Sequence, residues 1–431
     1  MTERPDFIEE ITWRGLLHQC TNEQRLRAHL ATGTRRAYAG FDPTADSLTI
    51  GNLVPITLLR HFQLAGHTPV VVMGGGTGLI GDPSGKSDER QLMTRERVEA
   101  NVSSQRRIFE ALLDFSGPNA AVIVNNADWL CGLGYIDVLR GVGKHFSVNM
   151  MIQKESVRER LHNRDHGISY TEFSYMILQA YDFLHLHRTL AVTVQMGGSD
   201  QWGNIVSGAD LIRRTAHDHS IEAFGLTCPL VTRSDGGKFG KTEAGAVWLT
   251  PERTSPYAFY QFWLNTADDD ALRYLRLFTF LPRREVDAIA ATHASNPAAR
   301  EAQRTLAKHV TACVHGPTEA DLAERASQAL FSGDIVGLPP ETLEQALAGA
   351  PSSDHQRDRL AGGSVALLDL LVETGLARSK REAREFLASG SVSVNGVQAA
   401  ADRTLTTADL LHGRFLALRR GKKTWHLTRW S

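Results

Sequence analysis

Cysteine is scarce in this chain. Cys20, Cys131, Cys228 and Cys313 are the only four in 431 residues, far apart and with no C-x-x-C pair. Neither a disulfide framework nor a metal site is therefore indicated, and buried free thiols are the expectation. Long apolar runs are lacking as well. No uninterrupted stretch suffices to cross a bilayer, which predicts a protein that stays in water and has no membrane partner. The opening residues, MTERPDFIEEITWRG, are acidic and lack the basic-then-apolar order of a secretory signal, so the chain reads as cytoplasmic. No internal repeat is evident.

What is present divides the chain. Hydrophobic residues at 42% and charged residues at 22% are ordinary for a globular protein, and the length suits two or three domains. From about residue 37 to 230, short apolar runs (TPVVVMGG, AVIVNN, LAVTVQMGG) alternate with helical stretches such as NLVPITLLRHFQLAG and TEFSYMILQAYDFLHLH. That alternation predicts an α/β, Rossmann-like domain over 1–236, with a parallel sheet and a ligand site at the carboxyl ends of its strands. A small-residue loop containing KFGKT follows over 237–249, then a helical region over 250–348 and a polar linker over 349–363. Residues 364–431 read as a small α+β domain. Its second helix, SKREAREFLASG, has Ser379 as N-cap; SVSVNGV is a strand entering an Asn-Gly turn, and RFLALRRGKKTWHLTRW is a hairpin with RRGKK at its tip. Residues 361–431 hold 11 Lys and Arg against 6 Asp and Glu, so the formal net charge of -1 conceals a basic end on an acidic body. Such a module suits a polyanionic partner.

The stretch VVVMGGGTGLIGDPSGKS, residues 70–87, contains two nucleotide-binding patterns in near miss. Gly76, Gly78 and Gly81 fit G-x-G-x-x-G, but Asp82 and Pro83 follow at once, and a polar helical segment stands where the second strand of a dinucleotide fold belongs. Gly81 and Gly85 enclose only three residues, one fewer than a P-loop needs to wrap a phosphate. A flexible glycine loop ending in Asp82 survives, followed by Lys86 and Arg90 at i, i+4 on one helix face, a pair suited to a polyphosphate.

Further constellations surround that loop. YAGFDPTADSLTIGNLVPI places a strand end, a turn and a helix start within a few residues. Tyr175, Gln179 and Asp182 fall at i, i+4, i+7 and form a polar stripe on an otherwise apolar helix. QMGGSDQWGN and KFGKT complete the set. Together, and in this order, these motifs resemble bacterial tyrosyl-tRNA synthetases, class I aminoacyl-tRNA synthetases whose HIGH and KMSKS signatures correspond to TIGN and KFGKT here. The resemblance extends from about Gly40 to Trp430.

By that resemblance, residues 1–236 are a catalytic domain for L-tyrosine and ATP, the helical region approaches the anticodon, and 364–431 bind the tyrosine tRNA. Tyr38 and Asp182 would hydrogen-bond the substrate phenol; Asp82, Tyr175 and Gln179 would hold its ammonium group, with Gln195 and Asn126 as further pocket members. Gly40, Asp42, Thr44, Gly51, Gly198, Asp200 and Gln201 would surround the nucleotide. Lys238 and Lys241, with Lys86 and Arg90, would neutralise the leaving pyrophosphate, with Thr242 of the same motif also catalytic, Mg2+ arriving with ATP and no tightly bound cofactor being needed. The tRNA would meet Arg378, Lys380, Arg381, Arg384, Arg419, Arg420, Lys422 and Lys423. GKHFSVNMMIQKESVRERL resembles the family's subunit interface, which implies a homodimer. One departure stands out: Thr49 and Asn52 replace the two histidines of HIGH. Both can still donate to a phosphate oxygen, but neither can carry positive charge. A synthetase-derived RNA-binding protein that has lost activation, and a tryptophan-specific enzyme, are the competing readings.

Overall fold

Runs of valine, isoleucine and their neighbours make the predicted sheet. The computed structural model describes residues 5–84, 92–154, 157–158, 161, 167–216, 221–237, 239–242, 245–361 and 365–431. It falls into two compact units, Met1–Arg253 with Thr266–Leu306, and Thr254–Asn265 with Ala307–Ser431. In the first, strands β1 (Gln19–Cys20), β2 (Arg36–Phe41), β3 (Thr68–Met73), β4 (Val122–Asn125), β5 (Val192–Gly198) and β6 (Phe224–Cys228) lie in the order β1-β6-β5-β2-β3-β4. All neighbours are parallel except the edge strand β1. β3 and β6 are buried at every position, as strands covered on both faces must be. The chain builds outward from β2 through β3 to β4, then returns to the other side for β5 and β6. The crevice between β2 and β5 is thus the switch point at which such sheets bind ligands.

Helices of this unit include α1 (Phe7–Arg14), α2 (Ile50–Leu64), α3 (Arg95–Leu112), α4 (Tyr170–Leu190) and α5 (Trp202–Thr215). Ser169 starts α4, its hydroxyl accepting the Glu172 amide at 3.3 Å. The apolar side of α4, with Phe183 and Leu184, packs with Leu211 and Ile212 of α5 onto Val70, Val72 and Val192 of the sheet. Burying side chains of this size contributes about 1.5–3 kcal/mol each, which fixes the polar side of α4 against the crevice. Beyond the sheet come the short strands β7 (Lys241–Thr242) and β8 (Gly245–Ala246), then helix α6 (Asp268–Phe278).

The second unit has a five-stranded sheet made of β9 (Ser352–His355), β11 (Val392–Val394), β12 (Val397–Gln398), β14 (Phe415–Arg420) and β15 (Thr424–Trp430), ordered β12-β11-β14-β15-β9. Strands β10 (Val365–Ala366) and β13 (Thr404–Leu405) pair separately. Helices α7 (Pro317–Ser332) and α8 (Pro340–Leu347) cover one face, with Ala326, Leu343 and Leu347 against Phe415 and Leu427. Helices α9 (Leu367–Glu373) and α10 (Lys380–Ala388) cover the other through Leu370, Leu371 and Leu387. Ser379 caps α10 as expected, accepting the Glu382 amide at 3.2 Å. Asn395 and Gly396 both take positive φ, as the predicted Asn-Gly hairpin turn requires.

Two expectations differ from the structure. Residues 349–363, read as a linker, contain β9, which pairs parallel with β15. Its polar composition hid it: Ser353 lies within 2.7 Å of His355 Nε2 and 2.9 Å of His426 Nε2, and buried His355 stacks on Trp430. The predicted RRGKK tip is narrower, since Arg419 and Arg420 belong to β14 and only Gly421, Lys422 and Lys423 form the turn.

Candidate active site

A cavity of about 410 Å³ opens at the carboxyl ends of β2, β3, β5 and β6. Tyr38, Gly40, Asp42, Thr44, Thr49, Gly51, Asn52, Asp82, Asn126, Tyr175, Gln179, Asp182, Gly198, Asp200 and Gln201 all line it. Residues scattered over 160 positions of sequence are brought together by the crossover topology.

At its inner end a chain of hydrogen bonds surrounds Asp182 on α4. Asn126 donates to one carboxylate oxygen at 2.9 Å and the Trp129 indole to the other at 2.7 Å. Asn126 also donates to the Thr77 hydroxyl at 3.0 Å; that hydroxyl donates to Asp42 at 2.9 Å, and Tyr175 donates to the second Asp42 oxygen at 2.9 Å. Burial pushes the Asp182 carboxyl up to about 7, more than these donors lower it. Burial, reinforced by Asp182, also holds the Tyr38 phenol well above its ordinary value, and Tyr175 is raised by burial and then by Asp42. Both phenols remain neutral donors. Tyr38 is 1% exposed, and its hydroxyl has no partner among the described residues. A buried orphan hydroxyl costs about 1–3 kcal/mol, so this one is set for something outside the chain.

The glycine run after β3 is not a flexible loop. Gly74, Gly75 and Gly76 are buried, and Thr77–Leu79 form a 3-10 turn. A Cβ on Gly74 would stand 2.3 Å from Asp42 Oδ1, and one on Gly75 would stand 2.2 Å from Asn125 Oδ1. Asn126 Oδ1 accepts the Gly76 amide at 2.7 Å. These glycines let polar side chains close in on the backbone rather than wrap a phosphate. Trp129 and Thr77 were not singled out from the sequence. Their one signal is position, just past the carboxyl ends of β4 and β3.

Nearer the mouth, Gln201 donates to Asp82 at 2.7 Å, Gln179 donates to Gln201 at 3.2 Å, and Asn204 donates to Gln179 at 2.9 Å. Burial raises the neighbouring Asp200 carboxyl despite its bond from Gln201. Across the cavity Thr49 is the N-cap of α2. Its amide and hydroxyl both donate to Asn52 Oδ1, at 3.0 and 3.1 Å, and the Asn52 backbone N–H donates to the Thr49 carbonyl at 2.9 Å, while the side-chain nitrogen Nδ2 of Asn52 bonds to nothing among the described residues. Gly40 and Gly51 have ordinary φ and ample room; a Cβ on Gly51 would meet only Thr49 Oγ1 at 3.6 Å, and one on Gly40 nothing within 4 Å. The chain itself does not demand glycine at either position, so the space beside them is available to a ligand.

The KFGKT segment docks on the start of α2. Val247 accepts the Ile50 amide at 3.1 Å, Leu48 accepts that of Leu249 at 2.8 Å, and Gly240, at φ +77°, is so close that its Cβ would stand 3.0 Å from Ile50 Cγ1. Phe239 lines the cavity; Lys241, exposed, does not. Lys86, Arg90 and Lys238 lie outside the described residues, as does the side chain of Thr242. Gln195 is buried beside Tyr38 in the sheet register but does not line the cavity.

In the second unit the basic residues differ in availability. Arg378, Arg384, Lys422 and Lys423 are exposed. Lys380 and Arg381 are exposed too but paired with Asp369 and Glu385 at 2.6 and 3.1 Å, contacts of at most about 1 kcal/mol that a phosphate could displace. Arg420 donates to the Leu376 carbonyl at 2.6 Å and lies over Phe386, and Arg419 lies over Trp425, so both are engaged by the fold.

This sheet, with its switch-point cavity between TIGN and KFGKT, defines a class I aminoacyl-tRNA synthetase. The family described as tRNA synthetases class I (W and Y) matches residues 31–332, and the tyrosine-tRNA ligase SYY-like C-terminal domain matches 342–428. The chain is 51% identical to the tyrosine-tRNA ligase of Geobacillus kaustophilus over 99% of its own length and 100% of that protein's. It is 49% identical to that of Dechloromonas aromatica, covering 99% of each. Among solved structures, a C-terminally truncated Aspergillus nidulans mitochondrial tyrosyl-tRNA synthetase superposes with a TM-score of 0.69 at 29% identity, over 77% of this chain and 95% of that one. The chain belongs to the tyrosine-tRNA ligase family. It activates L-tyrosine with ATP and transfers it to tRNA; the relatives support this activity and not an RNA-binding protein that has lost it. No helix among the described residues is long and apolar enough to cross a membrane.

Proposed function

We propose that the inner end of the cavity holds the tyrosine side chain, with Tyr38 and Asp182 on its phenol oxygen, and that the mouth holds ATP. The unpartnered Tyr38 hydroxyl carries this reading. Tyr38 donates to the phenol oxygen, which donates to Asp182, while Asn126 and Trp129 keep the carboxylate aimed. Phenylalanine would leave the buried Tyr38 hydroxyl unpaired, at about 1–3 kcal/mol, and bring Asp182 no donor beyond Asn126 and Trp129. Tryptophan supplies no hydroxyl for the pair. The ammonium group falls to Asp82 and Gln179, already linked through Gln201, with Tyr175 beside them on α4.

The tyrosine carboxylate attacks the α-phosphorus of ATP, its oxygen forming the new bond as the bond to pyrophosphate breaks. The tRNA terminal hydroxyl then displaces AMP. The nucleophile is already charged at neutral pH, so activation needs positioning and charge stabilisation rather than a general base. We assign adenosine to the space beside Gly40 and Gly51, with Asp42, Thr44, Gly198, Asp200 and Gln201 around it. The Asn52 side-chain nitrogen Nδ2 and the Gly51 N–H at the start of α2 meet the phosphates. Lys241, with Lys238, Lys86 and Arg90, neutralises the pyrophosphate, and the Thr242 hydroxyl of the same segment donates to it. Mg2+ enters bound to the nucleotide, as part of the substrate; among the described residues no group of three or more His, Cys, Asp or Glu could hold a metal.

The basic module is assigned to the tRNA through Arg378, Lys380, Arg381, Arg384, Lys422 and Lys423, and the protein to the cytoplasm, where translation uses its product. The experiment is pyrophosphate exchange with tyrosine, phenylalanine and tryptophan, in the natural chain and in Tyr38→Phe. Exchange with tyrosine alone, weakened by the substitution, supports the assignment. Unchanged selectivity in Tyr38→Phe refutes it.

A further inference from the structure

Helix α6 plays no part in the reading above, yet it holds the segment that leads into KFGKT. Asp270, 3% exposed, accepts the Ser234 amide at 3.0 Å, the Ser234 hydroxyl at 3.1 Å and Arg273 Nη2 at 2.6 Å. Arg273 also donates to the Thr232 carbonyl, and so does the Tyr274 hydroxyl, at 3.0 Å. Within KFGKT itself, Phe239 stacks on Phe278 with centroids 5.4 Å apart and meets Tyr274 edge-on at 5.1 Å. Burial alone would raise the Asp270 carboxyl, but the Ser234 amide and Arg273 outweigh it and keep the group below the usual carboxylate range.

The helix is fixed from its far end as well. Arg14 of α1, itself buried, donates to the carbonyls of Arg276, Thr279 and Leu281 at 3.0, 2.7 and 2.7 Å. The segment from Thr232 to Gly245, by contrast, has little regular structure of its own among the described residues, and Gly236, Gly240 and Gly245 all take positive φ. Its position is therefore imposed by neighbours: the start of α2 on one side, α6 on the other.

We propose that α6 is the platform that places KFGKT over the nucleotide, with Asp270 as the positioning residue and Arg273, Tyr274 and Phe278 completing the clamp. The inference rests on the assignment of Lys238 and Lys241 to the pyrophosphate. Asp270 touches no substrate; it acts through the lysines that the clamped segment carries.

The test is a double-mutant cycle by pyrophosphate exchange, with tyrosine affinity measured separately by equilibrium binding. Asp270→Asn lowers kcat for activation by between about tenfold and a hundredfold, the scale of loss from small misplacements, and leaves tyrosine affinity unchanged. In a Lys238→Ala, Lys241→Ala background the same substitution costs less than about twofold, because the cations it positions are gone. Tyr274→Phe, which removes one hydroxyl, gives a smaller loss of the same kind and serves if Asp270→Asn does not fold. Equal losses in both backgrounds, or a loss carried by weaker tyrosine binding, overturn the platform. If Lys238→Ala with Lys241→Ala leaves activation intact, the parent assignment falls and the platform with it. If that background is impaired while both clamp variants are fully active, the platform alone falls.

Discussion

Tyr38 bears a hydroxyl that no described residue of its own chain uses. Removing it should strengthen the protein and weaken the enzyme: Tyr38→Phe raises the melting temperature of the free protein while lowering tyrosine affinity by roughly two- to tenfold, the range of one ordinary hydrogen bond. Thermal unfolding with and without tyrosine separates the two effects. Asp182 makes a second prediction. Its carboxyl keeps a proton up to about pH 7 in the folded state, whereas an unfolded aspartate releases it near pH 4. The folded state thus binds more protons between those values, and this group's contribution to stability is lost as pH rises through that window. Asp182→Asn removes that decline, as urea unfolding at about pH 5 and pH 8 would show. In the natural chain tyrosine affinity rises over the same interval, because the phenol needs a charged acceptor. The stripe of Tyr175, Gln179 and Asp182 was legible because α4 is long and regular. Trp129 was not, since an indole four residues beyond a strand looks like core until the fold aims its N–H at Asp182.

At the scale of elements, the start of α2 shows how two replacements for histidine serve the helix as well as the site. The Thr49 hydroxyl donates to Asn52, so Thr49→Ala should cost about 0.5–1.5 kcal/mol of stability, the worth of that one hydrogen bond. The double change Thr49→Ala with Asn52→Ala should also slow tyrosine activation; exchange rates equal to the natural chain's would remove both residues from the phosphate site. Caps and turns with strong local chemistry were readable in advance, as Ser379 and the Asn395-Gly396 turn show. β9 was not, because the pairing that makes it a strand comes from residues about 75 positions away. The glycine run after β3 misled for a related reason: its neighbours Asp42, Asn125 and Asn126, remote in sequence, explain it.

For the whole molecule, Tyr135, Ile136, Val148 and Met150 are exposed apolar residues in and beside the segment whose resemblance implies a homodimer. Ile136→Glu with Val148→Glu should halve the mass seen in sedimentation. Reversing the charge of Lys380, Arg381 and Arg384 to Glu should reduce tRNA charging, flatten its salt dependence, and leave pyrophosphate exchange untouched. Point changes are the cleaner probe there, since deleting 361–431 would strip α8 of the partners of Leu343 and Leu347. The parallel-sheet domain and basic module were foreseeable from periodicity and charge; the grouping of 254–265 with the second unit and 266–306 with the first was not, because adjacent helices of similar composition part company only in three dimensions.

A strand late in the chain is an inner one. β15 lies between β14 and β9, and Ser431 ties it to the edge, donating to the His355 carbonyl at 3.1 Å and accepting the Arg357 amide at 2.9 Å. On the ribosome, this sheet stays open until Thr424–Trp430 has been made. A chain cut before Thr424 lacks the strand that joins β14 to β9, so the residues already made cannot close the sheet by themselves.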